Sequence, residues 1–167
     1  ADQEQRRKAK MAARLMDSIN ERGFDAYRAL VVDDEVVSRG IICSKLQQFG
    51  LNVETASDGE EAMEKLLASP GRYYHMLFTK MSLPKKSGLD LTMELREHIR
   101  RDLNDITIVT VTSNPMRDER LVALEHGMDY HIVLPFNDIE LKEILLRELE
   151  NLGPEEAHEK FGFRIIK

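Results

Sequence analysis

The chain has 167 residues, of which 42% are hydrophobic and 32% charged, and its formal net charge at pH 7 is −6. This length and composition suit one globular domain with an arm at either end. The acidic balance gives no general attraction to nucleic acid, so we expect no nucleic-acid partner. No apolar run approaches the roughly 20 residues that span a bilayer, so we expect no membrane span in this segment.

The single cysteine is the next feature of the composition. One cysteine excludes an internal disulfide framework, and it predicts a cytoplasmic location because thiols stay reduced there. There is no Cys/His spacing of the kind that binds zinc. We therefore expect neither a structural metal nor a cofactor.

Residues 1–24 predict an N-terminal helical arm. Ala12, Leu15, Met16 and Ile19 recur at helical spacing and form a narrow apolar stripe, and Gly23 is a suitable end. Two interpretations stay open. The arm folds onto its own domain, or it is a helix that dimerises or carries a signal from an upstream domain.

Residues 25–151 alternate between short apolar runs and amphipathic segments. Strands are predicted near 29–32, 51–56, 73–79, 106–112 and 130–134. Helices are predicted near 36–50, 57–68, 89–100, 114–127 (capped by Asn114-Pro115) and 138–149. Such alternation favours an α/β fold with a doubly wound, five-stranded parallel sheet.

Five residues close these strands: Asp33, Asp34, Lys80, Thr112 and Leu134. Ligands of open parallel sheets bind outside the carboxyl ends of the strands. We therefore expect these side chains to gather at one edge and to form the functional site.

Residues 152–167 predict a C-terminal tail or a mobile linker to another domain. Phe161, Phe163 and Ile165 alternate as in a strand, so docking onto the sheet edge or a partner is the alternative. The chain does not begin with Met. Both ends suggest a fragment of a multidomain protein.

Five motifs carry a family resemblance: VVDDE at 31–35, ASDGEEAMEKL at 56–66, SLPKKSGLDL at 82–91, Thr112-Ser113, and GMDYHIVLPF at 127–136. Over about residues 27–150 the chain resembles the receiver domain of two-component response regulators. The resemblance implies the flavodoxin-like doubly wound fold and a place in a phosphorelay, in which a histidine kinase donates a phosphoryl group.

The family's chemistry implies a role for each position at the site. Asp33 and Asp34 match the acids that hold magnesium, and Thr112 matches the hydroxyl that binds a phosphoryl oxygen. Lys80 stands at the nucleophilic aspartate, and Leu134 stands at the phosphoryl-binding lysine. His131 stands where an aromatic switch residue is usual.

Lys80 and Leu134 both differ from the residues that carry the chemistry of the family. These two differences predict a degenerate receiver, or pseudo-receiver, with no catalytic residue and no bound metal. An ammonium cannot form the acyl phosphate and repels magnesium. We hypothesise that Lys80 takes the metal's place and bridges Asp33 and Asp34. The alternative is that Lys80 extends into solvent and contacts neither acid.

The predicted function is a non-enzymatic signalling module that binds protein partners without phosphorylation: a histidine kinase, an output domain or another signalling protein. A homodimer through the N-terminal helix or the 115–150 face is a further expectation. Candidate contacts on that face are Arg117, Arg120, Glu125, His131 and Glu143. We interpret Thr112 as a helix cap or as the partner of a backbone group rather than as a retained switch. We interpret His131 as a partly exposed packing residue rather than as a ligand or a pH sensor.

Two alternatives remain open. A working receiver would need Asp33 or Asp34 as an unusual phosphoryl acceptor. A nucleotide sensor would bind at the rim or against Lys80, Lys85 and Lys86, although no glycine-rich phosphate loop supports it.

Overall fold

The structure, a computed structural model, describes residues 2–7, 10, 27–113 and 119–150, without the side chains of 146, 149 and 150. Residues 2–7 and 10 are helical and exposed. The rest of the predicted N-terminal arm, the Asn114-Pro115 cap and the tail at 152–167 lie outside the described residues.

A five-stranded sheet forms the centre of the domain. Its strands are β1 (Arg28–Val32), β2 (Asn52–Ala56), β3 (Met76–Thr79), β4 (Thr107–Thr112) and β5 (Tyr130–Val133). All neighbouring pairs are parallel, in the order β2-β1-β3-β4-β5. The predicted doubly wound α/β fold is confirmed.

Six helices accompany the sheet in residues 27–113 and 119–150. They are α1 (Val36–Gln48), α2 (Gly59–Ala68), α3 (Gly88–Arg96), α4 (Arg101–Asn104), α5 (Glu119–Glu125) and α6 (Asp138–Glu150). Among the described residues, none of the helices has the length and apolar character needed to cross a membrane.

The prediction of one continuous helix over 89–100 was wrong, because α3 ends at Arg96 and α4 follows as a separate turn. Arg100 has extended backbone angles, and its guanidinium donates to the carbonyls of Leu67 and Ser69 and to the Asp102 carboxylate. These tertiary bonds stabilise an extended Arg100 that helical periodicity does not anticipate.

Two apolar cores, one on each face of the sheet, hold the layers together. One face buries Val31, Phe78, Val109 and Ile132 with residues of α1 and α6, and the opposite face buries Leu30, Leu77 and Ile108 with residues of α2 to α5. Side chains alternate along a strand, so a strand with helices on both sides is apolar throughout. This explains the unbroken apolar runs in the sequence.

Only some of the apolar side chains of α1 are buried. Ile42 and Leu46 are buried, but Val36 and Ile41 are 73% and 48% exposed. The helix therefore packs on the sheet through a narrow apolar stripe.

Candidate functional site at the carboxyl edge of the sheet

Asp33 follows β1 and is only 1% exposed. The backbone N–H of Glu35 donates to Asp33 Oδ1 at 2.9 Å, and the Ser38 hydroxyl donates to Asp33 Oδ2. Arg39 Nη1 donates to the Asp33 carbonyl at 2.8 Å. The first turn of α1 therefore satisfies and orients this buried carboxylate.

Lys80 follows β3 and lies beside the acids that follow β1. Val32 pairs with Thr79 across β1 and β3, so the residues after each strand are neighbours. Lys80 Nζ lies 3.5 Å from Asp33 Oδ1 and 3.5 Å from Asp34 Oδ1. It also lies 3.1 Å from Glu35 Oε1. The hypothesised contacts of Lys80 with Asp33 and Asp34 are both present in the structure.

The contact of Lys80 with Glu35 was missed by the sequence-based hypothesis, which named only two acids. The sequence signal for this contact was Glu35 itself, the third acid of the VVDDE motif. Glu35 is also the residue directly before α1, and its backbone angles are extended. Lys80 thus connects the end of β3 to the start of α1.

The three carboxylates act on the ionisation of Lys80. Partial burial lowers the pKa of its ammonium, but the hydrogen bond to Glu35 and the charges of Asp33, Asp34 and Glu35 outweigh this and raise the pKa above its ordinary 10.5. Lys80 is therefore a cation at physiological pH.

Thr112 and Leu134 lie at the ends of β4 and β5, on the same edge of the sheet. Thr112 closes β4, and the Leu134 N–H donates to its carbonyl at 2.8 Å. Leu134 is partly buried against the core under α1 and α6, and its peptide bond to Pro135 is cis. Residue 134 therefore has an uncharged hydrocarbon side chain at the carboxyl edge of the sheet.

His131 lies inside β5 rather than at its end. Its side chain is 12% exposed, and its Nε2 lies 3.9 Å from Glu119 Oε2 on α5. The sequence did not predict this pairing, although Glu119 precedes the buried Ala123 by one helical turn. Of the other predicted face residues, Arg120, Glu125 and Glu143 are exposed, and Arg117 lies outside the described residues.

The lysines suggested for nucleotide binding each lie beside an acid. Lys85 Nζ is 3.7 Å from Asp58 Oδ2, and Lys86 pairs with Glu94. Together with the carboxylates around Lys80, these contacts leave little unpaired positive charge at the β3–α3 loop.

The donor set at this edge does not fit a magnesium ion in the observed arrangement. Magnesium requires several oxygen ligands in octahedral geometry. The Lys80 ammonium stands between the acids, and both oxygens of Asp33 accept hydrogen bonds from the protein. In the part of the chain that the structure describes, no group of three or more His, Cys, Asp or Glu side chains is arranged to hold a metal.

Comparison with known proteins gives consistent matches over this region. The chain is 35% identical over 128 residues to a probable transcriptional regulator, ycf27, of Cyanophora paradoxa, covering 74% of this chain and 50% of that protein. It is 29% identical over 125 residues to hybrid signal transduction histidine kinase L of Dictyostelium discoideum, covering 74% of this chain and 7% of the kinase. The chain thus spans half of one curated relative and a small part of the other.

A solved structure shows the same fold. It is the receiver domain of the sensor histidine kinase PA1611 from Pseudomonas aeruginosa, with magnesium coordinated in its active site cleft. The identity is 26% and the TM-score 0.62, covering 72% of this chain and 95% of that domain. The sequence model of the response regulator receiver domain family matches residues 29–146 of this chain. With the five-stranded parallel sheet, these matches show that the chain belongs to the response regulator receiver domain family.

Proposed function

We propose that this receiver domain is a pseudo-receiver, a signalling module that binds protein partners without accepting a phosphoryl group. The observation that carries the proposal is the position of Lys80, whose ammonium lies within 3.5 Å of Asp33 and Asp34. An acyl phosphate requires a carboxylate nucleophile. An ammonium has no lone pair for attack, and the raised pKa of Lys80 keeps it protonated.

Leu134 gives independent support for the proposal. Phosphoryl transfer depends on cations and hydrogen-bond donors that stabilise the charge on the phosphoryl oxygens. A leucine side chain provides neither. The magnesium in the PA1611 receiver belongs to that protein, and the cation at this edge of the present domain is the side chain of Lys80.

The contacts of the acids weigh against phosphorylation at Asp33 or Asp34. Asp33 is 1% exposed, and both of its oxygens accept hydrogen bonds. Asp34 is more accessible but lies beside the Lys80 ammonium. Neither acid is accompanied by the phosphoryl-binding lysine of the family, because Leu134 stands at that position.

The proposed partners are signalling proteins in the cytoplasm, such as a histidine kinase or an output domain. The curated relatives carry their matching segments within a hybrid kinase and a transcriptional regulator. The face formed by β5, α5 and α6 is the proposed contact surface, and a homodimer through it or through the N-terminal helix is part of the proposal. On α5, Leu121 and Leu124 are 51% and 49% exposed, which suits a protein contact.

The test is titration of the chain with magnesium and beryllofluoride, followed by amide NMR. We expect no saturable shifts around Asp33, Asp34 and Thr112. A second measurement exposes the chain to a small acyl phosphate and records its intact mass, which we expect to stay unchanged. Saturable shifts at these residues, or a phosphoryl adduct, would contradict the proposal.

A double variant, Lys80→Asp with Leu134→Lys, is the matched control. It supplies the two groups that the family's chemistry requires. We expect magnesium to raise the melting temperature of the variant and to leave that of the unmodified chain unchanged. A magnesium response of equal size in both would show that Lys80 does not replace the metal.

A further inference from the structure

Three buried polar atoms on neighbouring elements have no hydrogen-bond partner among the described residues: Thr110 Oγ1, Glu119 Oε2 and His131 Nε2. Buried polar side-chain atoms in folded proteins are nearly always hydrogen-bonded. Three such atoms in one place mark a polar cluster inside the layer between the sheet and α5.

The strand register brings Thr110 and His131 together. They are paired residues of β4 and β5, so their side chains point to the same face of the sheet. Ile108, two residues before Thr110, packs on that face with Ala123 of α5. The ring of His131 therefore lies in the layer between the sheet and α5.

Glu119 approaches the same place from the helix. It precedes the buried Ala123 by four residues, which puts both side chains on the inner side of α5. Its Oε2 lies 3.9 Å from His131 Nε2, too far for a hydrogen bond. The side chains of Glu119 and His131 are only 23% and 12% exposed, so solvent screens their interaction weakly.

In place of the packing role that the sequence suggested for His131, we propose that Thr110, Glu119 and His131 form a proton-responsive contact between the sheet and α5. Histidine is the side chain whose charge ordinarily changes between about pH 5 and 8. When the imidazole takes a proton from solvent, its Nε2–H donates to the Glu119 carboxylate, and the 3.9 Å separation closes to an ion pair. The Thr110 hydroxyl donates to the same carboxylate.

The charged groups on the surrounding elements are engaged elsewhere. Asp129, two residues before His131, accepts from Arg96 of α3, and Lys80 lies among the acids after β1. His126, at the far end of α5, contacts the Val122 carbonyl. The α6 side chains Leu141, Ile144 and Leu145 pack on the opposite face, and Arg120 and Glu125 of α5 are exposed. Among the described residues, Glu119 is the acid paired with His131.

The consequence is a surface whose rigidity follows pH. The ion pair holds α5 to the sheet when His131 is charged, and this hold is lost as pH rises and the ring becomes neutral. The exposed Leu121 and Leu124 lie on α5, so a partner at that face encounters a more ordered helix in acid. The inference does not depend on whether the domain accepts phosphate.

The test is hydrogen exchange of the α5 backbone, measured on the full chain at about pH 5.5 and about pH 8, on either side of the usual histidine range. The amides of His126, Gly127 and Met128 donate within the last turn of α5, and their protection factors report its opening. We expect protection about tenfold higher at the lower pH, equivalent to about 1.4 kcal/mol. The amides of α2, over residues 59–68, serve as an internal reference for global stability.

Three variants complete the test. Glu119→Gln and His131→Gln each remove one charge of the pair, and we expect the pH dependence of α5 protection to disappear in both. His126→Gln is the matched control: this histidine follows the opposite end of α5 and lies outside the cluster, so the variant should retain the pH dependence. If His131→Gln fails to fold by circular dichroism, the isosteric Glu119→Gln decides alone. Equal protection at both pH values in the unmodified chain, or pH dependence that persists in Glu119→Gln, overturns the proposal.

Discussion

Replacing Lys80 with methionine removes the ammonium and keeps an unbranched side chain of similar length. The substitution leaves Asp33, Asp34 and Glu35 without the cation that lies 3.1 to 3.5 Å from each of them. Three carboxylates then repel one another at the end of β1. We expect a folded but less stable domain.

The magnitude depends on how exposed each acid is. At about 3.5 Å and an effective dielectric constant near 20, one such contact is on the order of 5 kcal/mol before desolvation is subtracted. Asp34 and Glu35 are 36% and 66% exposed, and exposed pairs contribute only about 0–1 kcal/mol each. Asp33 is 1% exposed, and breaking a buried pair costs about 3–5 kcal/mol.

Two features reduce that cost. Asp33 keeps its hydrogen bonds from Ser38 and the Glu35 N–H, and Lys80 itself is 22% exposed. We therefore expect Lys80→Met to lower the free energy of unfolding by about 2–3 kcal/mol, near the lower end of the range for broken buried pairs. For a domain of this size the melting temperature falls by about 10 °C.

The assay is urea denaturation of the full chain at neutral pH. Lys85→Met is the matched control, a lysine of the same loop whose side chain is 63% exposed and 3.7 Å from Asp58. We expect its effect to stay below about 0.5 kcal/mol. A double-mutant cycle with Asp33→Asn isolates the Lys80–Asp33 contribution. Equal stabilities for Lys80→Met and the unmodified chain, or a cycle without coupling, would refute the reasoning.

Three further predictions concern the same edge of the domain. The pKa of Lys80 is raised in the folded state above its ordinary 10.5. The contribution of the charged Lys80 to the free energy of unfolding is therefore full below pH 10.5 and is lost as pH rises through the folded-state pKa. In urea denaturation, the stability difference between the unmodified chain and Lys80→Met should shrink in strong alkali. An added Cβ at Gly88 would lie 1.8 Å from the Lys80 carbonyl oxygen, whereas one at Gly40 of α1 meets nothing within 4 Å. In thermal unfolding Gly88→Ala should therefore destabilise by about 2 kcal/mol or more, and Gly40→Ala should stabilise by about 0.5–1 kcal/mol; equal effects would contradict the close approach. The Asp58 side chain accepts a hydrogen bond from the Glu61 N–H at the start of α2. Asp58→Ala should therefore lower the free energy of unfolding, measured by urea denaturation, by about 1 kcal/mol. An unchanged denaturation midpoint would show that the cap contributes nothing.

The alternation of strands and helices, and the parallel sheet, were predictable from the sequence because buried strands are apolar throughout and their ends carry recognisable turn residues. The same reasoning put Asp33 and Lys80 at one edge, since parallel strands end together. The helix predicted near 57–68 follows from local hydrogen bonding, and α2 covers residues 59–68 with Asp58 as its cap.

Tertiary structure decided the rest. Whether Lys80 reaches the acids or solvent depends on the register of β1 with β3, which brings the residues after Val32 and Thr79 side by side. The break after α3 depends on two carbonyls at the C-terminal end of α2, those of Leu67 and Ser69, which accept hydrogen bonds from Arg100. The approach of Glu119 to His131 depends on how α5 packs over β5. Periodicity along the chain reports which face of an element is apolar, but the distance between two charged groups is set by the packing of elements far apart in sequence, and that distance determines their interaction energy.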